Sequence, residues 1–302
     1  MTPTERLKGI EVFVCAADAG SFTAAAERLN LSNSAVGKAV ARLEQRLGAR
    51  LFERSTRAMA LTDAGAAFYA TCVRVLADLG EAESVLAAHR LEPAGHLRVD
   101  AGAAFGRLKV LPLLIEFARQ HPAVTPHLSL TDRMVDLVDE GIDVAVRIGG
   151  SDVWPAPLAQ RYLATERLIF CAAPAYLLRR GTPATADDLA RHDCVVYGRA
   201  DGSVAPWLLR DGLGPARRLA VDGRIVVGNG EAQVDAVLAG CGVAQLATWL
   251  VGEHLATGRL LQILPQLATA GLPLHLVWQR SRQLLPKVDA VLEVLARGLD
   301  IG

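Results

Sequence analysis

The chain has few cysteines, and they do not pair up: Cys15, Cys72, Cys171, Cys194 and Cys241 are odd in number and far apart. That excludes a disulfide framework and points to reduced thiols in a cytoplasmic protein. No stretch reaches the ~18–20 uninterrupted apolar residues that a membrane span needs, so no membrane partner is expected. The opening Met1-Thr2-Pro3-Thr4-Glu5-Arg6 lacks the basic, apolar and small-residue order of a secretory signal. Internal repeats and low-complexity segments are missing too. There is no net charge either, with 32 Lys and Arg against 32 Asp and Glu, which at first speaks against a nucleic-acid partner.

Catalytic signatures are also absent. There is no G-x-S-x-G elbow, no P-loop and no complete G-x-G-x-x-G. Gly228-Asn229-Gly230 and Gly240-Cys241-Gly242 are fragments that read as turns. The seven histidines do not fall beside cysteines or acids at metal-ligand spacing. No catalytic residue, metal or cofactor is assigned, and an enzyme is not expected.

What the chain does have is length and apolar content: 302 residues, 51% hydrophobic, accommodate two domains with sizeable cores. Its charge is also unevenly placed. From Arg28 to Arg57, seven basic residues stand against the acids Glu44 and Glu53. A phosphate-binding surface needs local rather than global positive charge, although a solvated helix face reads the same way.

The first segment reads as helices. One runs from Leu7 to a C-cap at Gly20, a second from Phe22 to Leu29 behind Ser21, and a third from Asn33 to Leu47 between Ser32 and Gly48. Short extended pieces at 51–54 and 59–61 form a hairpin. A long helix runs from Thr62 to Glu92, and Pro93-Ala94-Gly95 ends it. Beyond lies an alternation of strands and helices, including a helix at 135–140, which implies mostly parallel sheets covered on both faces.

On the third helix, Val36, Val40, Leu43 and Leu47 fall on one buried stripe. The opposite face carries Ser34, Lys38, Ala41 and Gln45, flanked by Gly37 and Arg42. Small polar groups followed by cations suit base edges and phosphates. The alanines of Thr23-Ala24-Ala25-Ala26 let two helices cross closely, and Asn30-Leu31-Ser32 is a turn of helix-turn-helix length. Spacing alone leaves an ordinary helical hairpin equally open.

The stretch Gly20-Ser21-Phe22-Thr23-Ala24-Ala25-Ala26, Leu29, Ser34-Ala35-Val36, Leu43-Glu44, Leu47-Gly48, Leu51-Phe52, Arg54, Arg57 and Leu61-Thr62-Asp63-Ala64-Gly65 is collinear and ungapped. It resembles the N-terminal signature of the LysR-type transcriptional regulators. The resemblance implies a DNA-binding winged helix-turn-helix at 1–61, all-α apart from its wing. Ser32, Asn33, Ser34, Gly37, Lys38 and Arg42 lie on its recognition surface, and Thr23 donates to a phosphate. Arg54 and Arg57 flank or lie in the wing and meet phosphate or the minor groove. Gly37 departs from the serine usual in the family, and Lys38 from the common arginine. The helix at 62–92 resembles the family's linker, which pairs subunits into a dimer or tetramer; packing against its own domain is the alternative.

Residues 93–302 resemble the family's effector domain, an α/β fold of two lobes similar to type 2 periplasmic binding proteins. The marks include Asp132-Arg133-Met134-Val135-Asp136-Leu137-Val138 and Asp143-Val144-Ala145-Val146-Arg147-Ile148-Gly149. Two helix N-termini, after Gly102-Ala103-Ala104-Phe105 and Gly228-Asn229-Gly230, offer N–H groups and partial positive charge to a carboxylate. Thr131, Arg147, Ala247 and Thr248 are further lining candidates at strand ends. Each has a plainer role open to it: Arg147 as a solvated strand end or interlobe salt bridge, Thr131 as a turn cap, Asn229 as an N-cap. Ala103 and Ala104 stand where relatives place a hydroxyl, and Ala247 where they place a proline, which favours a more apolar ligand.

The expected function is sequence-specific regulation of transcription on an interrupted inverted repeat of double-stranded DNA. Control comes from a small organic effector, a carboxylate or a partly apolar molecule, and RNA polymerase is a further candidate partner. An enzyme or a small-molecule binding protein on the same two-lobed fold is the rival reading, and a sequence-blind architectural DNA protein is another.

Overall fold

The computed structural model describes residues 9–53, 59–87, 92–150, 154–210 and 217–301, with the backbone alone at 77, 78 and 81–87. The chain divides into two compact units, Met1–Arg90 and Leu91–Gly302.

In the first unit most of the described helix ends are set by local hydrogen bonds. Helix α1 (Ile10–Ala19) closes on Gly20, whose φ of 63° is left-handed. Helix α2 (Phe22–Arg28) starts where the Ser21 hydroxyl accepts the Ala24 N–H at 3.0 Å. Helix α3 (Asn33–Leu47) starts where Ser32 accepts the Ala35 N–H at 3.2 Å, and it closes on Gly48. Phe13, Ala25, Ala26, Val36, Val40, Leu43, Leu51 and Phe52 form the core, and burying an aromatic such as Phe13 contributes about 2–3 kcal/mol. Leu47, expected on the buried stripe, is 40% exposed beside the Gly48 cap.

A small hairpin follows. Phe52 bridges Leu61 antiparallel, and the Glu53 N–H donates to the Ala60 carbonyl at 2.8 Å. The long helix α4 (Asp63–Ala87) then begins, with the Thr62 hydroxyl accepting the Gly65 N–H at 2.9 Å and donating to the Arg50 carbonyl at 2.7 Å. A Cβ at Gly65 would stand 2.0 Å from the Leu51 carbonyl oxygen. Only glycine lets the helix approach the hairpin so closely.

The second unit is built on one seven-stranded sheet. Its first lobe holds β1 (Gly95–Ala101), β2 (Val124–Leu130) and β3 (Val144–Ile148), with β1 parallel to both neighbours. Helix α5 opens at Ala103–Phe105, widens into a π-turn at Gly106–Val110 and continues through Leu111–Gln120. It packs with helix α9 (Pro286–Gly298) over a core that includes Leu97, Val99, Phe117, Val146, Leu276 and Val291.

The second lobe carries α6 (Pro174–Arg180), β5 (Val195–Tyr197), β6 (Trp207–Leu209), β7 (Arg217–Leu219), β8 (Ile225–Val227), α7 (Gly230–Leu238), β9 (Ala244–Ala247), α8 (Thr248–Ala256) and β10 (Leu261–Ile263). Two long strands, β4 (Leu158–Ala172) and β11 (Thr269–Gln279), join the lobes. Strand β11 pairs with β3 and with β4, while the far end of β4 pairs with β9 and β10.

The expectation of mostly parallel sheets is therefore corrected: the spine of the large sheet is antiparallel because β4 and β11 are crossovers rather than parts of βαβ units. The helix expected at 135–140 is a turn. The Asp136 carboxylate accepts the N–H groups of Val138 (2.8 Å) and Asp139 (3.0 Å), and Gly141 turns left-handed at φ 66°. That side chain competes with the helical ladder and stops it after one turn. Among the described residues, no helix is long and apolar enough to cross a membrane.

Candidate functional site

The outward face of α3 is polar and open. Ser32, Asn33, Ser34, Lys38, Ala41, Arg42 and Gln45 are exposed, as is Thr23 on α2, and Gly37 is half-buried with open space where a Cβ would go. The Asn33 amide donates to the Thr23 hydroxyl at 3.2 Å, and the Ser32 and Ser34 hydroxyls lie 3.3 Å apart. The start of α3 thus holds small donors and acceptors close together, with Lys38 and Arg42 along the next turns. Arg54 and Arg57 lie outside the described residues. A residue with no site role in the sequence reading supports this face: the Glu44 carboxylate, on α3, accepts the N–H groups of Leu51 (2.7 Å) and Phe52 (3.2 Å), tying the hairpin to the helix.

In the second unit the structure brings several expected residues together and shows most of their polar atoms engaged. Gly230 lies near Ala104: a Cβ on Gly230 would stand 3.8 Å from that of Ala104 and 3.2 Å from the Leu250 side chain. The starts of α5 and α7, from different lobes, therefore meet. Phe105 stacks edge-on against Trp249 with ring centres 5.0 Å apart. Ala247 and Thr248 open α8 next to that tryptophan, and the Thr248 Oγ1 is buried without a hydrogen-bond partner.

Three candidates have partners within their own surroundings, and for Arg147 that partner makes it neither a solvated strand end nor an interlobe bridge. The Thr131 hydroxyl accepts the Arg133 N–H at 3.3 Å, a turn contact. The Asn229 side chain accepts the Ala232 N–H at 3.0 Å as an N-cap. Arg147, 6% exposed, pairs with Asp100 on the neighbouring strand β1. That ion pair lies within the first lobe, not between lobes. The other charged residue of the same motif, Asp143, accepts the Arg98 N–H at 2.8 Å and pairs with Arg282.

The sequence reading missed the partners. Asp132 accepts the Ala103 N–H at 2.9 Å, at the mouth of α5. Arg107, in the π-turn, grips Glu231 in the first turn of α7, with its Nε at 3.1 Å, so an ion pair ties the two lobes. Tyr197 faces Asp132 from the second lobe; burial first, and the Asp132 carboxylate next, push its phenol above the usual range. Glu166, on crossover strand β4, is 7% exposed. It accepts the Trp249 indole N–H at 3.0 Å and the Leu272 N–H at 3.2 Å. Burial raises its carboxyl above the ordinary range, and the two donors partly offset that. Among the described residues no cluster of three or more His, Cys, Asp or Glu side chains is placed to hold a metal.

With this geometry in view, the comparisons with known proteins are direct. Residues 7–66 match the family model "Bacterial regulatory helix-turn-helix protein, lysR family", and residues 90–300 match "LysR substrate binding domain". The chain is 36% identical over 260 residues to the HTH-type transcriptional regulator DmlR of Escherichia coli K12, covering 86% of this chain and 84% of that one. It is similar to the solved structure of CrgA, a LysR-type transcriptional regulator from Neisseria meningitidis. The TM-score there is 0.61 at 30% identity, over 98% of this chain and 99% of that one. The fold also matches full-length AphB from Vibrio cholerae, with a TM-score of 0.62 at 21% identity over 97% and 99% of the two chains.

Proposed function

The chain belongs to the LysR family of bacterial helix-turn-helix regulators, and from that membership we propose how its two units divide the work. It is a DNA-binding regulator of transcription whose C-terminal unit responds to a small molecule. The N-terminal unit reads an interrupted inverted repeat in the cytoplasm. Ser32, Asn33, Ser34, Gly37, Lys38 and Arg42 meet base edges and adjacent phosphates, Thr23 meets a phosphate, and Arg54 and Arg57 serve the wing. A single recognition helix offers few base contacts, so the protein works as a dimer or tetramer joined through α4, one subunit per half-site. RNA polymerase is the partner through which bound protein acts on transcription.

The effector seat lies between the lobes, around Ala103, Ala104, Phe105, Gly230, Ala247 and Thr248, and Thr131, Arg147 and Asn229 support its walls. The effector works by binding without being turned over. It shifts the arrangement of the lobes only as far as its affinity differs between them. The observation that carries the DNA half of this reading is the exposed polar and basic face of α3, opposite its buried stripe of Val36, Val40 and Leu43.

Footprinting the purified chain on the DNA upstream of its own gene tests it. Protection of an inverted repeat is expected, with affinity falling steeply with salt as each neutralised phosphate releases its counterions. Equal binding to unrelated DNA, or none at low salt, refutes the reading.

A further inference from the structure

Most of the groups that the sequence offered to an anionic effector are matched from within the chain, the buried Thr248 hydroxyl being one that is not. The Ala103 N–H at the mouth of α5 donates to Asp132, and a Cβ on Gly102 would lie only 3.3 Å from the same carboxylate oxygen. Arg147 pairs with Asp100, and Arg107, a cation the sequence reading did not single out, pairs with Glu231. At α7 the Ala232 N–H donates to the Asn229 side chain. The remaining walls are apolar: Ala104, Ala247, Leu250 and the Phe105–Trp249 pair.

What is left over points the other way. Asp100 is 1% exposed, its Oδ2 has no hydrogen-bond partner, and it sits two residues ahead of the Gly102 turn. A buried acceptor without a donor is costly unless something supplies one. Asp132 itself is exposed to solvent and is hydrogen-bonded to Tyr197 of the opposite lobe, so its carboxylate stands between the lobes.

We infer that Asp132 determines effector specificity: its carboxylate occupies the anion seat at the start of α5, so the cleft rejects carboxylates and takes a neutral or cationic molecule that donates hydrogen bonds. An incoming carboxylate would compete with a tethered one at very high local concentration and add a like charge beside it. An ammonium, hydroxyl or amide N–H meets an acceptor already in place. This inference rests on the reading of the interlobe cleft as the effector site.

Acetate serves as the probe, in thermal unfolding of the full chain against chloride of equal ionic strength. The wild-type midpoint is expected to be the same in both salts. Asp132→Ala empties the seat and lowers the midpoint by about 2–4 °C, the cost of a lost cap in a domain of this size. Acetate then restores the midpoint with a saturating dose dependence, as a ligand of the folded state does. Asp132→Asn keeps an oxygen over the Ala103 N–H and is expected to ignore acetate. The inference is overturned if acetate stabilises the wild type as much as the alanine variant, or if the alanine variant responds no more than the wild type. The footprint stands apart from this: its loss refutes the regulator reading whatever acetate does, and the acetate result decides the cleft whatever the footprint shows.

Discussion

The two units treat their polar side chains in opposite ways. On α3 of the first unit the polar residues face water, and the hydrogen bonds near them, Ser32 to Ala35 and Asn33 to Thr23, are short-range and exposed. Around the cleft of the second unit, charged groups are matched to partners far away in sequence: Arg147 to Asp100, and Arg107 to Glu231. A surface built for a large polyanion can leave its charges in solvent until the partner arrives, because phosphate contacts come from long side chains that adjust. A cleft that senses a small molecule must be shaped beforehand, and its charges are consumed in holding that shape. An arginine at a strand end is therefore weak evidence for an anion site until its own neighbours are known.

Breaking the matched side should have the largest effect. Asp100→Ala leaves Arg147 buried and uncompensated, and chemical denaturation should register a loss of about 3–5 kcal/mol in the second unit. On the displayed side the loss should appear in binding rather than in stability. Arg42→Ala should weaken binding to operator DNA by about 1–3 kcal/mol in a gel-shift titration, with the unfolding transition unmoved. A change in folding stability larger than the change in binding would erase the contrast. Gly37→Ala should be smaller and of opposite sign. Nothing lies within 4 Å of the added Cβ, so the helix should gain about 0.5–1 kcal/mol.

Glu166 sharpens the matched side through a slope rather than a step. Its folded pKa is raised above the unfolded value of about 4.3. Its contribution to stability is thus complete below the unfolded value and is lost as pH rises through the folded one. The stability difference between the wild type and Glu166→Gln should fall over that interval and flatten above it. A difference independent of pH would show that Glu166 stays in one protonation state.

Legibility in the sequence follows the range of the interaction that decides each element. The helices of the first unit begin at Ser21 and Ser32 and end at Gly20 and Gly48, all of which act within a turn of their own position, so composition reveals them. The family resemblance carried the two-lobed architecture. In crossover strand β4 only the last residues form a continuous buried apolar run, because its first half mixes exposed and buried positions as it passes between lobes. The turn at 135–140 was read as a helix because its apolar spacing is helical, and the capping carboxylate of Asp136 outweighs that spacing. In the cleft the candidates were named without their partners. Arg107 and Glu231 lie 124 residues apart, and no local pattern links them.

The contact at Gly65 has a mechanical consequence. The first turn of α4 rests on the backbone of Leu51 with no side chain between them, and Thr62 is bonded to both sides of the joint. Such a joint has little slack. If α4 rolls about its long axis, the hairpin must turn with it, and Glu44 carries that turn into α3. If α3 reads DNA as proposed, the hairpin and α3 behave as the head of a key whose shank is α4, and torque applied to the shank arrives at the DNA as rotation instead of being lost in a hinge.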